Sequence, residues 1–491
     1  MLYIGIDLGT SAVKLLLVNE TGKIVNSVTK EYPVFYPQSG WSEQNPDDWW
    51  SACIAGIGEL TAGTDVDEIR GIGAAGQMHG LVILDKDDTV IRPAILWNDG
   101  RTEKEVEYLN HTVGENKIAD YTANAAFAGF TAPKLLWLRK NEPWNFDKIY
   151  RIMLPKDYIN YKLTGVHSCD YSDASGTLLL DTGNKRWSKE MLQICNIHEW
   201  QLPKLHESFE VIGSLCHKAA KACGLSEKVK VVAGAGDNAA AGIGTGTVGD
   251  GKCNISLGTS GTVLISSEGC RMDPRHAIHT FAHADGNYHL LGCMLSAASC
   301  NTWLCDTILH TSDYGAEQRR IPENILGKNH VYFLPYLMGE RSPINDINAR
   351  GTFTGLTMDT TREALVLSVL EGVAFGIRDS LEVIKSLPLP VTGSTFCGGG
   401  AQSPLWQKIF ANVLNMPLGM VKTEQGPGYG AAILSMVGCG EYDSVKEAVG
   451  RLVEITRIVE PDSMLTEQYE LQYQKFKKIY PAMKQVFLEL R

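Results

Sequence analysis

The sequence is short of the features that would place it among nucleic-acid binders, membrane proteins or disulfide scaffolds. Positive charge is in deficit: 45 Lys and Arg stand against 56 Asp and Glu, a formal net charge of -11. That balance excludes a broad basic face for nucleic acid. The 12 cysteines form no CxxC pair and no spaced Cys/His cluster of the zinc type, so reduced thiols packing as small apolar side chains are expected. No uninterrupted apolar run of membrane length occurs. The Ala- and Gly-rich stretch from Val231 to Val248 comes nearest, but Asp237 and Asn238 interrupt it, and a charge at a bilayer centre costs about 3 kcal/mol. The opening MLYIGIDLG has no basic region before its apolar residues, and Asp7 breaks them. No secretory signal is read there, and a cytoplasmic location is expected. The pattern GxxxxGK[ST] is missing as well, which excludes a P-loop enzyme.

What is present begins with size and repetition. A chain of 491 residues exceeds the roughly 250 to 300 residues one core can serve. Two domains are therefore expected, 1–245 and 246–491, joined through the glycine-rich stretch Gly242 to Gly251. Ile6 to Ser11 reads IDLGTS and Ile255 to Ser260 reads ISLGTS, about half the chain apart, so the chain reads as two copies of one unit. In both copies an apolar run enters the motif and another leaves it, which predicts strand, Gly-Thr-Ser turn, strand.

A turn of Gly and hydroxyl residues offers backbone N–H groups to phosphate oxygens, and two facing turns would clasp a polyphosphate. One such hairpin alone reads equally as a plain glycine turn; its recurrence favours the clasp. The copies differ where Asp7 in the first matches Ser256 in the second. Mg²⁺ takes carboxylate oxygens, so only the first turn is equipped to help hold a metal.

Three further segments carry candidate chemistry. In VVAGAGDNAAAGIGTG, Asp237 and Asn238 follow an apolar strand and open an Ala-rich helix. Asp237 reads either as a helix cap or as a carboxylate that accepts the proton of an attacking hydroxyl. In GAAGQMHGLVILD, Gln77, Met78 and His79 precede an apolar strand, where a lone His is also an ordinary core residue. In AILWNDGRTEKEVEYL, Trp97, Asn98, Asp99 and Arg101 precede a helix; Asn98 or Asp99 could cap it, while Trp beside amides and acids suits a sugar. The segment STFCGGGAQSPLWQ reads as strand, glycine loop and helix start, with the loop at a nucleotide. Thr466 to Leu490 reads as one final helix.

Together these segments resemble the FGGY carbohydrate kinases along essentially the whole chain. GFTAPKLLWLRKN, Gly129 to Asn141, is similar to the family's first signature. GTFTGLTMDTTREALVLSVLE, Gly351 to Glu371, is similar to the second, except that Ala364 stands where a polar or acidic residue is expected. The resemblance implies an α/β, actin-like (ribonuclease H-like) duplicated fold with ATP and a sugar in an interdomain cleft, and Mg²⁺-dependent transfer of the γ-phosphoryl group. By motif it makes Asp237 the catalytic base and Asp7 a metal-site acid. Thr10, Ser11 and Lys14 approach the phosphates, Gly258 and Thr259 meet the nucleotide from the second domain, and Gly399, Gly400 and Ala401 line its adenosine portion. QMHG and LWNDGR are similar to the pattern of members acting on D-xylulose, with Met78, His79, Trp97, Asn98, Asp99 and Asn238 at the ketose. Relatives for ribulose, gluconate, fuculose or glycerol share the ATP machinery. A homodimer follows by analogy only. Of the competing readings on the same fold, a nucleotide-dependent interaction protein has no use for these sugar-side motifs, and retention of both Asp7 and Asp237 speaks against a silent sugar sensor.

Overall fold

A computed structural model describes residues 1–423 and 425–490. Its first sheet is built on β1 (Leu2–Leu8), β2 (Ala12–Asn19) and β3 (Ile24–Glu31), an antiparallel meander, with β4 (Ile69–Gly76) added parallel to β1. The signature helix α1 (Thr131–Asn141), α2 (Pro155–Thr164) and the short α3 (Tyr171–Ser175) come next. Then β5 (Val211–Ser214), β6 (Lys230–Val232) and β7 (Ala235–Gly236) complete the sheet, in the order β5-β6-β4-β1-β2-β3 with β7 on β4. Helix α4 (Asp237–Gly244) leaves from β7.

The second sheet repeats this plan. β8 (Cys253–Leu257) and β9 (Gly261–Ser267) form the second Gly-Thr-Ser hairpin, followed by β10 (His279–Ala282) and β11 (Tyr288–Met294). After the long helix α5 (Arg362–Lys385) come β12 (Ser394–Cys397), α6 (Pro404–Leu414), β13 (Leu418–Val421), α7 (Gly426–Cys439) and β14 (Ile455–Val459). The order is β10-β11-β9-β8-β12-β13-β14. Reading β3-β2-β1-β4-β6 against β11-β9-β8-β12-β13 superposes the two topologies, so the duplication seen in IDLGTS and ISLGTS extends to whole sheets. Both hairpins and the strand-loop-helix at residues 394–414 form as the sequence predicts.

The halves are interlocked rather than juxtaposed. Helix α7 belongs to the second half but packs on β1 and β4 of the first sheet: a Cβ on Gly5 would stand 2.0 Å from Gly428 O, and one on Gly73 2.1 Å from Ala431 O. It crosses α4 backbone to backbone, since a Cβ on Gly430 would lie 1.9 Å from Ala240 O and one on Gly244 2.1 Å from Gly426 O. Only glycine permits that approach. Edge strand β10 is closed by the first half: Asn124 donates to Thr280 O at 2.8 Å and accepts from Thr280 N–H at 3.0 Å, and Ala282 N–H donates to Ser175 Oγ at 3.0 Å. A sheet edge paired in this way presents no free ladder to another chain.

The second signature places α5 in the core, with Thr361 Oγ1 accepting from Ala364 N–H at 3.2 Å as the cap. Ala364 itself is buried, so its departure from the pattern is an apolar side chain turned inward. The single terminal helix expected over 466–490 is instead two, α8 (Ser463–Phe476) and α9 (Ile479–Glu489). Pro481 explains the break, because it has no N–H for the carbonyl of Lys477 and its ring clashes there. Among the described residues no helix is long and apolar enough to cross a membrane.

Candidate active site

Asp7 stands near the end of β1, opposite Lys14 on β2 and level with Ala75 on β4. Directly opposed residues of an antiparallel pair share a face, so Lys14 lies beside the Asp7 carboxylate. The turn that follows is held by side chains. Gly9 N–H donates to Ala12 O at 3.0 Å, and Gly9 O accepts from the Tyr32 hydroxyl and from Gln77 Nε2. Thr10 O accepts from Gln44 Nε2 at 2.6 Å, and Thr10 Oγ1 accepts from Trp97 Nε1 at 3.0 Å. Gln44 Oε1 in turn accepts from Gln77 Nε2 at 3.0 Å and Trp49 Nε1 at 3.1 Å. Ser11 is left exposed at the tip.

Asp237 reaches the same place from the other side of β4, because β7 pairs Ala235 with Ala75, the residue that also faces Asp7. It is the first residue of α4 and not its cap, the capping position being Gly236. Asp237 Oδ1 accepts from Asn238 N–H at 2.7 Å and from Asn238 Nδ2 at 2.9 Å. Burial pushes the Asp237 carboxyl up to about 6, against those two donors. Burial first, and then the nearby Asp237 charge, push Asp7 up to about 7, with Lys14 opposing. Asp7 and Asp237 are thus half-buried carboxylates flanking the same point of β4, and the charge of Asp237 disfavours ionisation of Asp7.

The turn into Asp237 is pinned from behind by a buried ionic group. Lys156 Nζ sits 2.7 Å from Asp157 and 3.1 Å from Asp170, and donates to Ala233 O at 3.1 Å. Asp170 Oδ2 accepts from Ser172 N–H at 2.9 Å and Ser208 Oγ at 2.8 Å, and Ser172 Oγ accepts from Gly236 N–H at 3.1 Å. Residues 233 and 236 are thereby fixed on both sides of the bend that leads into Asp237.

The sugar-side residues form the adjoining wall. Met78 lies under the Asp237 turn, its sulfur 3.9 Å from Asn238 Nδ2. His79 adopts φ 70°, an uncommon conformation for a residue with a Cβ. Its Nδ1 lies 2.6 Å from Gly176 O, which fixes the proton on Nδ1 and leaves Nε2 as an acceptor. Burial holds the ring well below the ordinary imidazole range, so it is neutral. The buried ammonium of Lys134, from the first signature, donates to His79 O at 2.8 Å and Gly129 O at 2.7 Å. Trp97 joins this wall to the first phosphate turn through Thr10. Asn98 is exposed. Asp99 is placed otherwise than as a free sugar ligand: its side chain is fully buried against Arg101 at 2.7 Å and accepts from Ser42 N–H at 2.6 Å. Arg101 in turn covers the Trp41 ring at 3.7 Å. Asp99 therefore shapes the pocket at one remove, by anchoring its loop.

On the nucleotide side the second turn is held by backbone. Gly258 N–H donates to Ser260 O at 3.0 Å, while Gly258 O and Thr259 O accept from Ala298 and Ala297 N–H, both at 2.9 Å. The segment Ser296 to Trp303 is thus mounted directly on that turn. Of the glycine loop, Gly399 alone faces open space, whereas Gly400 packs on Leu257 and Ala401 is buried. Sequence reasoning missed Gln44, Tyr32, Ser172 and the Lys156 group, which sit in no motif and act only through residues distant in the chain. Lys134 could have been found, since it lies inside the first signature.

The FGGY family of carbohydrate kinases matches twice, its N-terminal domain over residues 2–244 and its C-terminal domain over residues 253–439. A xylulose kinase from Escherichia coli (strain K12) is 39% identical over 485 residues, 98% of this chain and 99% of that protein. A crystal structure of a xyloylose kinase from Brucella ovis superposes with a TM-score of 0.94 at 40% identity, covering 99% of this chain and all of that one. A gluconate kinase from Lactobacillus acidophilus reaches the same TM-score, 0.94, at 27% identity, covering 100% of this chain and 99% of that one, so backbone likeness alone does not separate the sugars. With the two domain matches falling on the two sheets and the carboxylate pair in the first, the chain belongs to the FGGY family of carbohydrate kinases.

Proposed function

We propose that the chain transfers the γ-phosphoryl group of ATP to the terminal primary hydroxyl of a ketopentose, D-xylulose, in the cytoplasm. The observation that carries the reading is the meeting of Asp237 with the sugar-side wall: the base and Asn238 rest on Met78, next to the neutral acceptor His79. Asp237 accepts the hydroxyl proton as the oxygen attacks phosphorus, and Asn238 holds its carboxylate toward that oxygen. Met78, His79 and Trp97 bound the sugar, with Asn98 at the rim and Asp99 bracing the loop. Thr10, Ser11 and Lys14 from the first turn, and Gly258 and Thr259 from the second, address the phosphates; Gly399, Gly400 and Ala401 back the adenosine. Phosphoryl transfer asks mainly for such positioning and charge neutralisation.

Asp7 fits a divalent cation. It is a half-buried oxygen donor near a second carboxylate, and no group of three or more His, Cys, Asp or Glu residues able to hold a metal occurs among the described residues. Mg²⁺ keeps several waters and takes phosphate oxygens as ligands, so one protein carboxylate with ATP suits it, and the ion would neutralise phosphate charge. The 12 free cysteines suit a reducing compartment.

The sequence similarity to xylulose kinases favours xylulose over gluconate, ribulose, fuculose and glycerol. ADP release measured across ketoses, polyols and aldonates tests this directly. D-xylulose should give the highest kcat/KM, D-ribulose less, and glycerol least; a panel led by gluconate or ribulose would replace the substrate and keep the kinase.

A further inference from the structure

Arg341 belongs to the second half of the chain, yet its guanidinium reaches the sugar-side wall of the first. Nη2 lies 3.4 Å from where a Cβ on Gly129 would stand, and Gly129 is itself pressed against Trp97 O, 2.6 Å from the same virtual atom. The positive charge is felt at His79, Lys134, His279 and Cys293. It does not perturb Asp7 or Asp237, whose environments are set by burial, by each other, by Lys14 and by Asn238. The Cys293 thiol feels both Arg341 and Asp237, which places the two charges within electrostatic reach of one side chain.

Its backbone is held firmly. Glu340 Oε1 accepts from Arg341 N–H at 2.7 Å and from Leu295 N–H at 2.9 Å, Arg341 O accepts from Asn345 N–H at 2.6 Å, and Ser342 N–H donates to Cys293 O at 2.9 Å. The guanidinium, by contrast, makes no hydrogen bond or ion pair with any described residue. Close by, Lys134 Nζ is spent on the carbonyls of His79 and Gly129, and the oxygens of Asp99 are engaged by Arg101 and Ser42. Glu340 is the acid that feels its charge, but Oε1 of that carboxyl is taken by backbone N–H groups and forms no ion pair with the guanidinium, so the half-buried planar fork of Arg341 is left to suit two neighbouring oxygens.

We propose that Arg341 is a specificity-determining residue that donates to the adjacent C1 and C2 oxygens of the hydroxyketone end of the sugar, while Asp237 takes the proton at the other end. The assignment rests on the proposed ketose substrate and deepens it. Because Arg341 comes from one half and His79 and Trp97 from the other, a sugar with both oxygens ties the halves together, and one lacking them does not.

The test compares the wild type with Arg341→Met and Arg341→Lys, each assayed with D-xylulose and with its 1-deoxy analogue. A hydrogen bond to a charged group corresponds to about 10- to 100-fold in binding. Arg341→Met should lower kcat/KM for D-xylulose by about that factor, mainly through KM for the sugar. The wild-type preference for xylulose over the 1-deoxy analogue should shrink to within about twofold in the variant, as expected when both changes remove one contact. Arg341→Lys, a point charge without the fork, should fall between, and it serves alone if the Met variant does not fold. An undiminished preference ratio in the variants overturns the assignment, as does a rise in KM for ATP equal to that for sugar. If the wild type prefers another sugar, the substrate reading fails on its own; the same ratio, taken with that sugar and its analogue lacking the C1 oxygen, still decides for or against Arg341.

Discussion

The two Gly-Thr-Ser turns have the same sequence and the same hairpin, and are supported in opposite ways. The first is gripped by side chains from four separate segments, Tyr32, Gln44, Gln77 and Trp97. The second is gripped almost wholly by backbone N–H groups at the start of one short helix. Side-chain support makes the first turn responsive to the sugar wall, because Gln77 precedes Met78 and Trp97 belongs to the pocket. Backbone support makes the second turn indifferent to which sugar is bound. One motif used twice is thus tied to the sugar-side segments in its first copy and to the Ser296 to Trp303 segment in its second, and Asp7 against Ser256 marks the same division in a single residue.

The sharpest way to test that division is at the base. Asp237→Asn should keep the fold and the affinity for ATP while kcat falls by about 10²- to 10⁴-fold, the usual contribution of a general base. The same carboxylate sets the pH dependence. It works ionised, and burial raises it to about 6, so kcat/KM should decline as pH drops through that value. A turnover within a few-fold of wild type, or an acid limb well below pH 5, would show that Asp237 only positions the sugar.

Next in size is the asymmetry itself. Asp7→Ala should raise the Mg²⁺ needed for half-maximal rate by at least about 10- to 100-fold, the range seen when even an outer-sphere partner is lost. Ser256→Ala, at the matching point of the second turn, should shift it by less than about twofold. Equal losses would erase the comparison.

The smallest effect separates side-chain from backbone support. Trp97→Phe deletes the N–H that Thr10 Oγ1 accepts, a bond of about 1 kcal/mol, and should raise KM for sugar and for ATP together by about fivefold. Ser299→Ala removes a hydroxyl that donates to the second turn, at Thr259 O, and should raise KM for ATP alone. Steady-state kinetics with each substrate varied in turn distinguishes the two patterns.

Local chemistry made much of this legible in the sequence. A hairpin with Gly at its tip, Ser403 before Pro404, and Asp237 at the mouth of an Ala-rich helix each declare themselves within a few residues. The same holds for Pro481, whose effect on the last helix follows from its missing N–H and went unread inside an otherwise periodic stretch. What could not be read was long-range. Gln44 touches Thr10 and Gln77 only because β1 and β4 lie side by side, and Lys156 meets Asp170 and Ala233 only after α2 has packed. Asp99 is of a type that suits a sugar, and nothing local says that Arg101, two residues on, pairs with it. Arg341 lies in no pattern that distinguishes it from any other arginine.

The crossing of α4 and α7 also has a consequence for how the chain is made. The first sheet is complete once β7 has been synthesised, but the helix that covers β1 and β4 begins at Gly426. At about 5 to 20 residues per second, the ribosome reaches that point some 10 to 40 s later. During that interval the glycine-lined face of the first sheet, shaped to receive backbone, stands uncovered. The nascent first half is then a surface awaiting its own C-terminal segment, and the window in which a chaperone would hold it is set by translation speed.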